Sequence, residues 1–148
     1  MDDLKKEFDE FLNRSKDDSC DVNKEEEIED EDYPDYVMEL TTIMLVPHRC
    51  GVYFSKRDFR RVGLENDISI SLKQRVRMIT DLLKSIFTQE EMQKMFESFH
   101  NIIDERIAIY EEMSEKFPST KSHFDTWTKK ANSLKKRLDR IYKESTLS

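Results

Sequence analysis

Thr88–Pro118 reads TQEEMQKMFESFHNIIDERIAIYEEMSEKFP, and the reading of this stretch decides the fold. Thr88 followed three residues later by Glu91 has the composition and spacing of a capping box, in which a hydroxyl and a carboxylate satisfy the free amides of a helix start. From there Met92, Phe96, Phe99, Ile103, Tyr110, Met113 and Phe117 keep a coiled-coil-like seam on one side of a helix. Pro118 has no amide proton with which to continue the ladder, so it ends the element.

On the C-terminal side the pattern repeats. Ser122-His123-Phe124-Asp125 has capping-box spacing, and Phe124, Trp127, Ala131, Leu134, Leu138 and Ile141 alternate by threes and fours almost to the last residue. On the N-terminal side Ser69 or Ser71 caps a predicted helix that carries Leu72, Val76, Ile79, Leu83 and Ile86 and ends near Phe87. Three long helices joined by a few residues predict antiparallel neighbours packed as an elongated hairpin or bundle. Two glycines and three prolines in 148 residues are too few turn residues for a sheet of many short strands, so the expected class is all-α.

Shorter helices precede these three. Pro34 and Asp35 open one that stops at Pro47, with Tyr36, Leu40, Ile43 and Met44 on one face. Ser55 and Asp58 form a box that starts a second, Lys56 to Val62, with Gly63 just past its end. Gly51-Val52-Tyr53-Phe54 reads alternatively as one β-strand, which would pair only across a dimer. The helical domain is thus expected over residues 35–148, behind a tail over residues 1–34.

That tail carries most of the negative charge. Sixteen acidic and five basic residues fall among the first 35, against sixteen acidic and twenty basic in the remainder, for a net charge of −7. Leu4, Phe8, Phe11 and Leu12 lie at i, i+4, i+7 and i+8, one stripe of a short amphipathic helix over residues 4–12. Such a stripe serves a tethered docking helix for a partner, or an element folded back onto the body. Between Ser15 and Asp32 only Cys20, Val22 and Ile28 are apolar, too little to offset the entropy of ordering, so a disordered tether is expected.

The chemistry-bearing residues are sparse. Glu97 and His100 have the ExxH spacing of di-iron carboxylate bundles, but the residues three before His48 and His123 are Leu45 and Thr120, so no second pair completes such a site. His48 and Cys50 would supply two ligands where a closed zinc site needs four. The glycines, Gly51 and Gly63, stand in no phosphate-loop context. No catalytic residue, cofactor or metal is therefore predicted, and the chain is expected not to be an enzyme. A basic-aromatic segment is the main anion-binding candidate: Arg49, Lys56, Arg57, Arg60 and Arg61 interleave with Tyr53, Phe54 and Phe59, and Lys129, Lys130, Lys135, Lys136, Arg137, Arg140 and Lys143 follow on the last helix. The longest apolar run, Ile43 to Val46, is far short of a membrane span, and the acidic N-terminus is unlike a secretory signal. A cytoplasmic protein with reduced thiols is expected.

In size and shape the region Ser71 to Ser148, two long amphipathic helices closing a small acidic protein, is similar to export chaperones of flagellar and type III secretion systems and to helical adaptors. That resemblance implies a protein partner. The expected function is a non-enzymatic interaction module that holds a partner helix in an apolar groove, with Leu4, Phe8, Phe11 and Leu12 as a further contact and a homodimer through the long helices as one assembly. The alternative is a nucleic-acid-associated regulator that uses residues 49–61 and is restrained by its acidic tail.

Overall fold

The computed structural model describes residues 4–8 and 33–145. The described elements are helical: α1 (residues 4–8), α2 (Asp35–Met44), α3 (Pro47–Cys50), α4 (Lys56–Glu65), α5 (Arg75–Lys84), α6 (Gln89–Lys116), a 3-10 turn (Pro118–Thr120) and α7 (Lys121–Glu144). Among the described residues there is no strand, as the scarcity of turn residues predicts. The expected tether and residues 9–12 of the tail helix lie outside the described residues.

The hairpin of α6 and α7 organises the molecule. Thr88 Oγ1 accepts from the Glu91 amide at 3.1 Å and Glu91 Oε1 accepts from the Thr88 amide at 3.0 Å, so the capping box is complete. The 28 residues that follow make a rod about 42 Å long at 1.5 Å per residue. Pro118 stops α6 and opens the 3-10 turn that runs directly into α7. The two helices are antiparallel, with Gln89 bonded to the Tyr142 carbonyl at one end, His100 facing Asp139 and Asp104 facing Lys135 in the middle, and Tyr110 against Phe124 at the other end.

The short helices form a layer over one face of that hairpin. From α6 this face contributes Met92, Met95, Phe99 and Ile102, and from α7 Ala131, Leu134, Leu138 and Ile141, all buried. Against them pack Val37, Leu40 and Met44 of α2, Val52 and Phe54 of the segment after α3, Phe59 and Val62 of α4, and Val76, Met78, Ile79, Leu82 and Leu83 of α5. Phe54 sits in the middle, stacked on Phe59 and edge-on to Phe99 at centroid distances of 6.1 and 5.9 Å. In the Gly51–Phe54 segment Val52 and Phe54 are buried and Tyr53 is exposed, so the alternating pattern serves packing against helices and not a sheet.

Three boundaries differ from the sequence reading. The expected third long helix, α5, has ten residues and starts at Arg75 on Gln74, with no side-chain cap; neither Ser69 nor Ser71 caps it, and Leu72 is 64% exposed. The chain before it is not helical: Ile68 and Ile70 cross close over Gly63, where an added Cβ would lie 2.8 Å from the Ile68 carbonyl oxygen. Gly63 consequently lies inside α4, and the helix ends two residues later in a Schellman motif. The Ile68 amide donates to the Gly63 carbonyl at 2.8 Å, the Asp67 amide donates to the Leu64 carbonyl at 3.3 Å, and Asp67 takes the left-handed conformation at φ 57°. Ser122, finally, does not cap α7: the 3-10 turn feeds the helix through Thr120, two residues earlier than the box would.

Candidate functional site

The layer of short helices does not reach the far end of the hairpin. Its outer edge is fixed by polar contacts. Asp58, buried at the start of α4, accepts from the Ser55 amide at 2.9 Å and from Arg106 of α6 at 2.9 Å, which joins the α4 cap to the long helix. Arg61 grips Glu105 with two bonds of 2.7 and 2.9 Å; this contact holds the Glu105 carboxyl below its ordinary range and raises the guanidinium. Tyr110 donates to the Gly51 carbonyl at 2.6 Å, and partial burial pushes its phenol up.

Beyond Arg106 and Tyr110 the hairpin projects as two helices. The α6 stripe that faces the layer runs Met95, Phe99, Ile102, Arg106 and continues on the same four-three-four phase to Ile109, Met113 and Phe117. The α7 stripe runs Ile141, Leu138, Leu134, Ala131, Trp127, Phe124. Inside the body both stripes are covered, whereas at the tip Ile109 is 48% exposed, Phe117 51% and Trp127 42%. Tyr110, Phe124 and Trp127 hold one another in a ring cluster with centroids 5.3 to 5.8 Å apart, so the rings are pre-positioned by packing. Ile109 is off the seam read from the sequence; the signal that finds it is the second stripe, from Met95 to Phe117, that runs beside the α7-facing one.

Gly51 anchors the base of the tip. It occupies the left-handed region at φ 77° just past α3, and a Cβ there would lie 2.3 Å from the Trp127 carbonyl oxygen. Only glycine lets the chain after α3 approach the α7 backbone this closely.

The basic-aromatic segment divides on folding. Phe54 and Phe59 are fully buried in the core, and Tyr53, the exposed ring, lies under the Arg75 guanidinium at 4.3 Å. Arg49 forms a two-bond pair with Glu7 of α1, each bond 3.0 Å, and Arg61 belongs to Glu105 and Glu65. Lys56, Arg57 and Arg60 are exposed on α4 with no ion pair among the described residues. Their position follows from the register. Arg61 meets Glu105, and Asn66 meets Ser98 further along, so α4 and α6 are antiparallel. Arg57, one turn before Arg61, is therefore level with Ile109, one turn after Glu105. A cation stands at the foot of the uncovered apolar stripe.

On the last helix Lys130 donates to the His48 carbonyl at 2.7 Å, Lys135 pairs with Asp104, and Arg137 and Arg140 converge on Glu39 of α2. Lys129, Lys136 and Lys143 are exposed, on a face of α7 turned away from the layer.

Of the tail-helix residues, Phe8 is 2% exposed and edge-on to Tyr33 at 5.2 Å, and Leu4 is half-buried. α1 thus rests on the body here, clamped by Glu7 and Arg49; Phe11 and Leu12 lie outside the described residues. Glu97 and His100 do not converge: Glu97 is exposed on α6, while His100 Nε2 turns to Asp139 of α7 at 3.2 Å. Cys50 is buried, its sulfur 3.1 Å from the Val52 carbonyl, and burial raises the thiol, the reverse of what a nucleophile or metal ligand requires. Among the described residues no three His, Cys, Asp or Glu side chains gather as a metal site, and no helix is long and apolar enough to cross a membrane. Compared with known protein families, characterised proteins and solved structures, the chain has no significant match to any.

Proposed function

We propose that this protein is a non-enzymatic helical interaction module, of adaptor or export-chaperone type, that binds a protein partner on the uncovered apolar face at the α6–α7 tip. The observation that carries this reading is the continuation of two core-forming stripes past the edge of the layer that covers them. Ile109, Met113 and Phe117 on one helix, with Phe124 and Trp127 on the other, make up the apolar trough that, in this reading, an amphipathic helix of the partner occupies. Contiguous exposed apolar surface rimmed by charge marks association sites on soluble proteins. A reduced, buried Cys50 accords with a cytoplasmic setting. The nucleic-acid reading retains Lys56, Arg57 and Arg60 but has lost Phe54 and Phe59 to the core as stacking platforms.

The test compares the wild type with a double variant, Ile109→Asp with Phe117→Asp, as baits for cross-linked capture from the native host. Both side chains are half-exposed, so the melting temperature should stay within about 3 °C of wild type while the tip-bound protein disappears from the capture. An identical set of proteins on both baits would refute the tip as the binding surface.

A further inference from the structure

Resting on that reading of the tip, we infer the chemistry of its partner: an amphipathic helix whose apolar stripe fills the trough and whose carboxylates meet Arg57 at its base. Further down the hairpin Phe59 and Val62 of α4 pack on the α6 face that carries Phe99 and Ile102. A helix laid along Ile109, Met113 and Phe117 would continue the line of α4 and replace it as the covering element.

The cations along α4 are used unequally. Along the covered region α4 and α6 satisfy each other: Asp58 takes Arg106, and Glu105 takes Arg61. At the next level the pattern breaks, because Arg57, one turn before Arg61 on the same side of α4, has no carboxylate partner among the described residues, and α6 offers the apolar Ile109 where an acid would complete the series. The neighbouring acid, Glu112, is bound at 2.7 Å to Lys116, one turn on, and this lysine holds its carboxyl below the ordinary range. Opposite, on α7, His123 is exposed and Lys130 already serves the His48 carbonyl. The rim nearest the layer therefore carries in Arg57 a cation with no ion pair among the described residues, and a partner with Asp or Glu flanking its apolar stripe is complementary, whereas one flanked by Lys or Arg faces Arg57 with like charge.

Trp127 is the single tryptophan of the chain and lies in the trough, so its emission reports occupancy directly. The probe is a tryptophan-free, end-capped peptide of 18 residues in about five turns, with Leu at i, i+3, i+4 and i+7 and Glu on the flanks. A second peptide carries Lys in place of every Glu. With the full-length protein, the Glu peptide should shift Trp127 emission to the blue and saturate, and the Lys peptide should bind at least about tenfold more weakly, the size of one moderate charge contact. Arg57→Glu should reverse that preference without altering the melt, since Arg57 is exposed and has no ion pair among the described residues. Ile109→Asp should abolish both shifts.

Equal binding of the two peptides, or a preference for Lys, would overturn the acidic-partner inference while leaving the tip as a binding surface. Absence of any shift, with capture unchanged by Ile109→Asp, would overturn the tip reading itself. A mass that rises to dimer with concentration, and that Ile109→Asp returns to monomer, would give the face to a second copy and overturn the inference too.

Discussion

Gly51→Ala is the sharpest test of how the body holds the hairpin. Two separate effects act at this position. An alanine at φ 77° pays the left-handed penalty of an L residue, about 1–2 kcal/mol. Its Cβ would also lie 2.3 Å from the Trp127 carbonyl oxygen and 3.0 Å from the Ala131 amide nitrogen, both backbone atoms in the middle of α7 that have little freedom to yield. Relieving that overlap pushes α3 off α7, an overpacking cost of about 1–3 kcal/mol. It also loosens the 2.6 Å bond from Tyr110 to the Gly51 carbonyl, worth about 0.5–1.5 kcal/mol. The sum is about 3–6 kcal/mol, which for a body of this size lowers the melting temperature by about 10–20 °C. Circular dichroism at 222 nm and urea denaturation measure it. Gly51→Asn separates the two effects, because asparagine tolerates the left-handed region yet carries the same Cβ. It should recover no more than about 1 kcal/mol. Full recovery by asparagine would refute the close approach of α3 to α7 and leave only a turn preference; a wild-type melt for alanine would refute both effects.

Phe8→Asp should lower the melting temperature by several degrees, since detaching α1 re-exposes a ring whose burial contributes about 1.5–3 kcal/mol; an unchanged melt by differential scanning calorimetry would assign α1 to a partner instead of the body. Asp67→Gly should raise stability by about 0.5–1 kcal/mol in urea denaturation, because glycine relieves the left-handed strain at the end of α4 and the exposed contact to Lys94 at 4.0 Å contributes little; a destabilised variant would contradict the Schellman geometry.

The parts of the fold legible in the sequence are those that local chemistry fixes by itself. The capping boxes at Ser55 and Thr88, the stop at Pro118 and the seam from Met92 to Ile103 depend on neighbours within a turn or two, and each stands where the spacing puts it. The misplaced boundaries depend on contacts that a linear reading does not carry. Gly63 looks like a helix end until Ile68 and Ile70 are seen crossing over it, and Leu72 looks like a core residue until the segment before Arg75 is seen to be non-helical and to leave it exposed. The candidate site was legible only in halves. The seam reading already included Met113, Phe117, Phe124 and Trp127, and the basic segment already included Lys56 and Arg57. Their adjacency, though, follows from the antiparallel register of α4 on α6, a separation of some fifty residues that the Arg61–Glu105 and Arg106–Asp58 pairs establish. Periodicity also cannot tell a covered stripe from an uncovered one, because both obey the same four-three rule. What distinguishes Ile102 from Ile109 is the length of α4, and α4 begins at Lys56 because Ser55 and Asp58 cap it there. The same capping box that starts the covering helix therefore sets where the cover ends, and leaves Arg57 beside the first uncovered turn of α6.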